Sequence, residues 1–257
     1  MTIDRMPQAS RIEEAATLID PIFLNTPLVR SEALDRALGQ EVALKVETLT
    51  PIRSFKKRGA SYLMHRLDGA ADGGVVCASA GNFGQGIAHA GRGFGVPVTV
   101  FSYQGANPLK LEAMQRFGAE IHLEGHDFDA AKSAARAFAA ATGAPAMYLS
   151  WRDGRVIETA SVDTIADGIA VRVPVPEALE AMRTTVDDVV LVEDTAMIAA
   201  VRLAFETVGL LVEPTGAVGL AALLADPNLG RGQRVSTILC GGNVALPQAR
   251  AWLLELP

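Results

Sequence analysis

Val75-Val76-Cys77-Ala78-Ser79-Ala80-Gly81-Asn82-Phe83-Gly84-Gln85-Gly86 is the stretch on which the fold turns. A short apolar run led by two valines reads as a buried strand, a glycine-containing turn follows, and a helix opens at about Asn82. Two more units of the same kind come next. Val98-Thr99-Val100-Phe101 leads to a helix opening at Asn107-Pro108, where Asn serves as cap and Pro suits the first turn. Ile121-His122-Leu123 leads to an Ala-rich helix from Phe128 to Ala141. Upstream, Ser31 caps a short helix closed at Gly39, Val42 to Val46 reads as a strand, and Ser54 caps a helix running to about Leu67. Repeated strand–helix units with short connections predict an α/β fold with a parallel sheet covered by helices. After Gly143 the rhythm fails, and residues 144–176 contain no strand–helix pair of normal length. It resumes with a strand at Val189 to Val192, a helix from Thr195, a second helix after Pro214, a strand from Val235 to Leu239 and a helix after Pro247.

Composition narrows the function classes. Of 257 residues, 49% are apolar and 20% charged, which excludes a disordered chain. A formal charge of −6 argues against a nucleic-acid surface, because neutralising phosphates takes clustered Lys and Arg. Cys77 and Cys240 are the two cysteines, so no disulfide framework is implied and a reducing compartment fits. No apolar run has the length of a membrane span, and the first residues carry no export signal. The expectation is a soluble, cytoplasmic protein without membrane or nucleic-acid partners.

Three segments can carry chemistry. Ser54-Phe55-Lys56-Lys57-Arg58-Gly59-Ala60 sits where a loop enters a helix. A lysine near that positive terminus is destabilised as an ammonium, and a neutral amine can form a Schiff base. The same three adjacent cations also read as a solvated helix face. Ser79 to Gly86 places backbone N–H groups at a helix start, the position that faces an anion, with glycines that let a ligand come close; a generic turn is the other reading. Its glycine spacing matches neither the dinucleotide fingerprint nor the nucleotide P-loop. Leu239-Cys240-Gly241-Gly242-Asn243 sets Cys240 at the carboxyl end of a strand, where ligands collect in open α/β sheets, or else buries a small thiol. His122 and His126 are four apart, but Gly125 and a strand pattern argue against a helical metal pair. Glu193-Asp194 reads as the cap of the next helix.

Taken together, five ordered segments are specific. Ser54 to Ala60, Ser79 to Gln85, Thr164-Ile165-Ala166-Asp167-Gly168, Val212-Glu213-Pro214-Thr215-Gly216-Ala217 and Cys240 to Asn243 occur in the order of the threonine dehydratases. The chain resembles the threonine dehydratase and serine racemase branch of the pyridoxal-phosphate enzymes with the tryptophan-synthase β-subunit fold, fold type II. The resemblance runs from about Asn25 to Asn243. It implies two open parallel-sheet domains: a discontinuous larger one of residues 1–50 plus 143–257, and a smaller one of residues 51–142. It implies pyridoxal 5'-phosphate as cofactor, a small amino acid as substrate and a homodimer. Lys56 matches the Schiff-base lysine that also removes the α-proton. Phe55 lies against the cofactor ring, Asn82 faces its phenolic oxygen, Gly168 gives a backbone contact and Cys240 faces the ring nitrogen. Ser79, Gly81, Asn82 and the backbone N–H of Phe83 take the substrate carboxylate. The implied reaction is β-elimination from threonine or serine to a 2-keto acid and ammonia.

The sequence also departs from the family. Ala80 stands where serine racemase has a hydroxyl that serves as second acid and base, so racemisation is not expected. Phe83 replaces the usual His. No tetraglycine-like run occurs between Gly143 and Thr159, where the family cradles the cofactor phosphate. A stretch on the order of two crossover units is missing there, so the larger domain is reduced and its sheet has exposed edges. The family's cation ligands fall in or beside this gap, so no metal is expected. A binding or assembly module without catalysis is the alternative that this gap motivates.

Overall fold

The computed structural model describes residues 8–67, 74–126, 150–151, 154–157, 164–169 and 174–254. The Ala-rich stretch expected to be helical from Phe128 to Ala141, and more than half of the residues between Gly143 and Thr159, lie outside the described residues.

Two three-stranded sheets organise what is described. The first joins β3 (Val75–Ala78), β4 (Val98–Ser102) and β5 (Glu120–Leu123), all parallel, with Val75 opposite Val98 and Thr99 opposite Glu120. The first two strands hand over to helices as the turn chemistry predicts: α4 (Asn82–Phe94) follows β3, and α5 (Pro108–Arg116) follows β4. The Asn107 side chain accepts from the Leu109 N–H, and Pro108 occupies the first helical position, where its missing N–H is not needed. Together with α3 (Lys57–Leu67), these helices bury Met64, Ile87, Val100 and Met114 in one core.

The second sheet has the order β1 (Leu28–Val29), β2 (Val42–Val46), β6 (Val235–Leu239). β2 and β6 are parallel, and β1 runs antiparallel on the outside. Helix α2 (Glu32–Leu38) is capped by Ser31 and closed by Gly39 in the left-handed region, as the sequence indicates. Helices α7 (Asp194–Val208) and α8 (Pro214–Ala225) cover the sheet and enclose Leu44, Met197, Val201, Leu220 and Leu239. Helix α9 (Leu246–Leu254) closes the described chain.

Three elements depart from the expectation. Residues 189–192 are not a strand: no ladder forms there, and Val190 and Leu191 are exposed. An apolar run becomes a strand only where a neighbour takes its N–H and C=O groups, and among the described residues none lies alongside. Helix α6 (Pro176–Thr185), just before it, escaped the strand–helix rhythm. So did α1 (Ala9–Leu18), none of whose residues is fully buried.

The loops that leave β2 and β6 are tied to each other. Ser54 forms an isolated bridge with Gly241, and the Gly242 N–H donates to the Arg53 carbonyl at 3.1 Å. The lysine-bearing segment before α3 is thereby fixed beside the loop that leaves β6. Arg53 adopts φ 54°, a left-handed conformation uncommon outside glycine, and its N–H donates to the Thr50 carbonyl at 2.7 Å.

Candidate active site

A cavity of about 350 Å³ opens beyond the carboxyl ends of β3 and β6. This is where open α/β sheets bind ligands. It is lined by Phe55 and Lys56 from the segment before α3, by Ala78 to Phe83 at the start of α4, by Lys110 of α5, by Asp167 to Ile169, by Glu213, Thr215 and Val218 of α8, and by Cys240. All eight residues singled out from the sequence, Phe55, Lys56, Ser79, Gly81, Asn82, Phe83, Gly168 and Cys240, meet in this one wall. They derive from four separate parts of the chain.

The three adjacent cations are not a solvated face. Lys56 points its Nζ over the Phe55 ring, 4.6 Å from the centroid, at the cavity wall. Lys57 is buried, donates to Ser61 Oγ and lies 5.2 Å from the Phe23 ring centroid. Burial lowers its pKa against the pull of Asp20. Arg58 grips Glu47 with both ends of its guanidinium, at 2.9 and 2.7 Å, and gives its Nε to the Phe23 carbonyl. Glu47 also accepts from Thr26 at 2.9 Å. Of the three cations, Lys56 alone lines this cavity.

The α4 entrance is an organised turn. Ser79 Oγ accepts from the Gly81 N–H at 3.2 Å and from the Gly84 N–H at 2.8 Å. Its hydroxyl is thus engaged in holding the loop rather than free for a ligand. Among the described residues no protein acceptor meets the N–H groups of Asn82 and Phe83, so these are the donors left for an anion at the helix start.

The glycines of α4 serve packing more than ligand approach. A Cβ at Gly84 would lie 2.8 Å from Met114, and one at Gly86 would lie 3.1 Å from the Lys56 carbonyl. Gly168 is close-packed as well: a Cβ there would meet Thr215 at 2.8 Å, and its N–H donates to Thr215 Oγ1 at 3.0 Å. The contact expected from the Gly168 backbone therefore does not come from its N–H.

Sequence reasoning missed the charged floor of the cavity. Lys110, with 3% of its side chain exposed, lies 2.8 Å from Asp167 and 3.0 Å from Glu213, itself 5% exposed. Burial lowers the Lys110 pKa, but the two carboxylates overcome it and the net shift is upward. Burial raises Glu213 against the opposing attraction of Lys110. The expected cap at Glu193-Asp194 does not form: Glu193 makes no side-chain capping bond, and the Asp194 carboxylate instead accepts from Thr164 Oγ1 at 2.6 Å and from the Ile165 N–H at 2.9 Å, anchoring the segment that brings Asp167 and Gly168 to the wall. Cys240 sits beside the Thr215 carbonyl at 3.7 Å, and burial pushes its thiol up, so it stays neutral. Cys77, in β3, is pushed up to about 12 by burial.

Among the described residues no group of three or more His, Cys, Asp or Glu side chains is placed to hold a metal ion. His122 instead pairs with Glu120 at 2.9 Å and stacks on Phe101. No helix among them is long and apolar enough to cross a membrane.

A family model described as "Pyridoxal-phosphate dependent enzyme" matches residues 19–144 and 138–241. The L-threonine ammonia-lyase of Thermotoga maritima is 28% identical over 300 residues, covering 91% of this chain and 75% of that protein. The serine racemase of Oryza sativa subsp. indica is 25% identical, covering 91% of this chain and 90% of that protein. Among solved structures, the processed form of threonine deaminase isoform 2 from Solanum lycopersicum superposes with a TM-score of 0.80 at 22% identity, over 96% of this chain and 88% of that one.

Proposed function

The chain belongs to the pyridoxal-phosphate dependent enzymes, and from that premise we propose that it is a threonine/serine ammonia-lyase, which eliminates the β-hydroxyl of its substrate and releases a 2-keto acid and ammonia. The observation that carries this reading is the convergence of Lys56, Asn82 and Cys240 on one cavity from three distant segments. Their donor set suits the cofactor's ring end. Lys56 offers a primary amine for the aldehyde, Asn82 an amide for the phenolic oxygen, Cys240 a neutral thiol for the ring nitrogen and Phe55 an apolar face. When bound, the cofactor supplies an electrophilic carbonyl and a ring that draws electrons from the substrate's α-carbon.

The remaining work belongs to this chain's side chains. The free N–H groups of Asn82 and Phe83 hold the substrate carboxylate at the start of α4, where the helix dipole favours negative charge. Lys56 Nζ stands at the cavity wall, from which it would take the α-proton as general base. Ala80 lines the cavity with a methyl group, which can neither donate nor accept a proton. No residue at that position can therefore return a proton to the α-carbon, which favours loss of the hydroxyl over inversion. A neutral Cys240 supports the same outcome, because it does not hold a proton on the ring nitrogen as a carboxylate would.

Incubation of the purified chain with pyridoxal phosphate and L-threonine should yield 2-oxobutanoate, and L-serine should yield pyruvate. Borohydride should trap an adduct at Lys56, and Lys56→Ala should abolish both adduct and turnover. Turnover by Lys56→Ala equal to that of the parent chain would overturn the assignment. A homodimer is part of the same proposal and is read by sedimentation.

A second reading, an internally shortened member acting as a binding or assembly module, has its own support. The family model matches in two pieces that meet at residues 138–144. The alignment with the Thermotoga relative spans 300 positions, more than the 257 residues here. A chain that binds no pyridoxal phosphate at millimolar concentration would favour this second reading.

A further inference from the structure

A primary amide offers an N–H face and a carbonyl face, and its neighbours decide which one a ligand meets. At Asn82 the neighbours leave no choice. Its Oδ1 accepts from Asn243 Nδ2 at 2.8 Å, and the same Nδ2 donates to the Ile52 backbone carbonyl at 3.0 Å. On the other side, Asn82 Nδ2 donates to Glu213 Oε1, and Glu213 Oε2 is ion-paired with Lys110, which also holds Asp167. A backbone carbonyl can only accept and an ammonium can only donate. The series Ile52, Asn243, Asn82, Glu213, Lys110 therefore has one self-consistent direction, pinned at both ends. Turning the Asn82 amide over would set its oxygen against the Glu213 carboxylate and its N–H against the Asn243 N–H. Such mismatches are most costly in a site shielded from water.

We infer that Asn243, Glu213 and Lys110 are positioning residues that lock Asn82 with its remaining N–H toward the cavity, so that the site selects a ligand with an anionic oxygen at that point. The inference rests on the reading of this cavity as a pyridoxal phosphate site, the anionic atom being the cofactor's phenolic oxygen. None of the three positioning residues need touch the ligand; each acts through the amide of Asn82.

The test compares pyridoxal phosphate with its 3-deoxy analogue, which lacks the phenolic oxygen but keeps the aldehyde, the ring nitrogen and the phosphate. Equilibrium affinities are measured by titration calorimetry on the full chain, with circular dichroism as the check on folding. A hydrogen bond to a charged oxygen is worth about 10- to 100-fold in affinity, and the parent chain should prefer pyridoxal phosphate by about that factor. Asn243→Asp exchanges a donor for an acceptor at nearly constant shape and should bring the preference below about threefold. Glu213→Gln should do the same: Lys110 claims the new amide oxygen, which turns the amide N–H against Asn82. Adding Lys110→Met to Glu213→Gln frees that oxygen to turn back to Asn82 and should restore the preference. A role confined to holding the fold would weaken both compounds alike and would not be rescued by the second substitution. A parent chain that binds both compounds equally, single variants that keep full discrimination, or a double variant that folds without recovery would each overturn the inference while leaving the cofactor reading intact. Should Asn243→Asp not fold, the Glu213→Gln pair decides alone. A parent chain that binds neither compound would overturn the cofactor reading, and this inference with it.

Discussion

Gly86→Ala tests the contact that fixes the backbone of Lys56, the proposed Schiff-base lysine. Gly86 lies inside α4, where alanine is favoured over glycine by about 1 kcal/mol in an unobstructed helix. Here a Cβ would sit 3.1 Å from the carbonyl carbon and oxygen of Lys56 and 3.2 Å from the Lys57 nitrogen. These are backbone atoms, so no rotamer change can clear them, and the segment must yield by a few tenths of an ångström. Forced overpacking costs roughly 1–3 kcal/mol, which outweighs the gain in helix propensity. Gly93, seven residues along the same helix, is the control, because nothing lies within 4 Å of the Cβ it would gain. Gly93→Ala should therefore stabilise the protein by about 1 kcal/mol, and Gly86→Ala should destabilise it by about 1 kcal/mol. At about 2–4 °C per kcal/mol for a chain of this size, the two midpoints should differ by roughly 4–8 °C in a thermal melt. Gly86→Ala should also slow the condensation of Lys56 with pyridoxal phosphate, followed by absorbance, whereas Gly93→Ala should leave it unchanged. Equal stabilisation by both substitutions, with equal rates, would refute the reasoning.

Other perturbations read other parts of the frame. Arg58→Met strips the partner from Glu47, whose side chain is 4% exposed, and should cost about 3–5 kcal/mol in urea denaturation; a loss under about 1 kcal/mol would contradict the buried pairing. Lys110→Met leaves Glu213 unpaired and should also destabilise by about 3 kcal/mol near neutral pH. Because burial already raises the Glu213 pKa, the folded form binds its proton more readily than the unfolded chain does. That preference is fully present below the ordinary carboxylate range and is lost as pH rises through the raised folded value. The Lys110→Met penalty should therefore be smaller at pH 5 than at pH 8, and a penalty that grows on acidification would exclude an unpaired Glu213 as its cause.

Much of this was legible from residue order alone. The strands β3, β4 and β6, and the helices that follow β3 and β4, could be read because apolar runs, capping residues and glycine or proline punctuation coincide there. The residues that line the cavity were named through the family resemblance, because the five ordered segments are specific together and weak singly. Lys110 was harder, although it left a trace. It shares the buried face of α5 with Ala113 and Met114, and a lysine on an apolar helix stripe needs a buried partner. Which partner could not be read, because Asp167 and Glu213 lie 57 and 103 residues away along the chain. The packing glycines were misassigned for a similar reason: a glycine that admits a ligand and one that admits a neighbouring backbone are identical in sequence. Strand 189–192 failed because strand formation is a property of pairs, and one run cannot report its neighbour.

The charge arrangement in the cavity bears on how the chain would grip its cofactor. Among the described lining residues the cations are Lys56 and Lys110 and the carboxylates are Asp167 and Glu213, so the formal charges cancel. On the proposed reading Lys56 takes the aldehyde, and Lys110 is committed to two carboxylates. A phosphate dianion therefore finds no uncommitted lysine or arginine in this wall. If no other loop supplies donors, the phosphate should contribute little, and pyridoxal should bind within about tenfold of pyridoxal phosphate. A cradle of two or three charge-assisted hydrogen bonds would instead separate the two compounds by more than about a hundredfold. Parallel titrations of the parent chain with both compounds, read through the absorbance of the Lys56 adduct, distinguish these outcomes. A separation above a hundredfold would mean that donors other than the lysines of this wall grip the phosphate. A separation near unity would mean that the phosphate adds little and that binding rests on the ring-facing side chains proposed above, Lys56, Asn82 and Cys240.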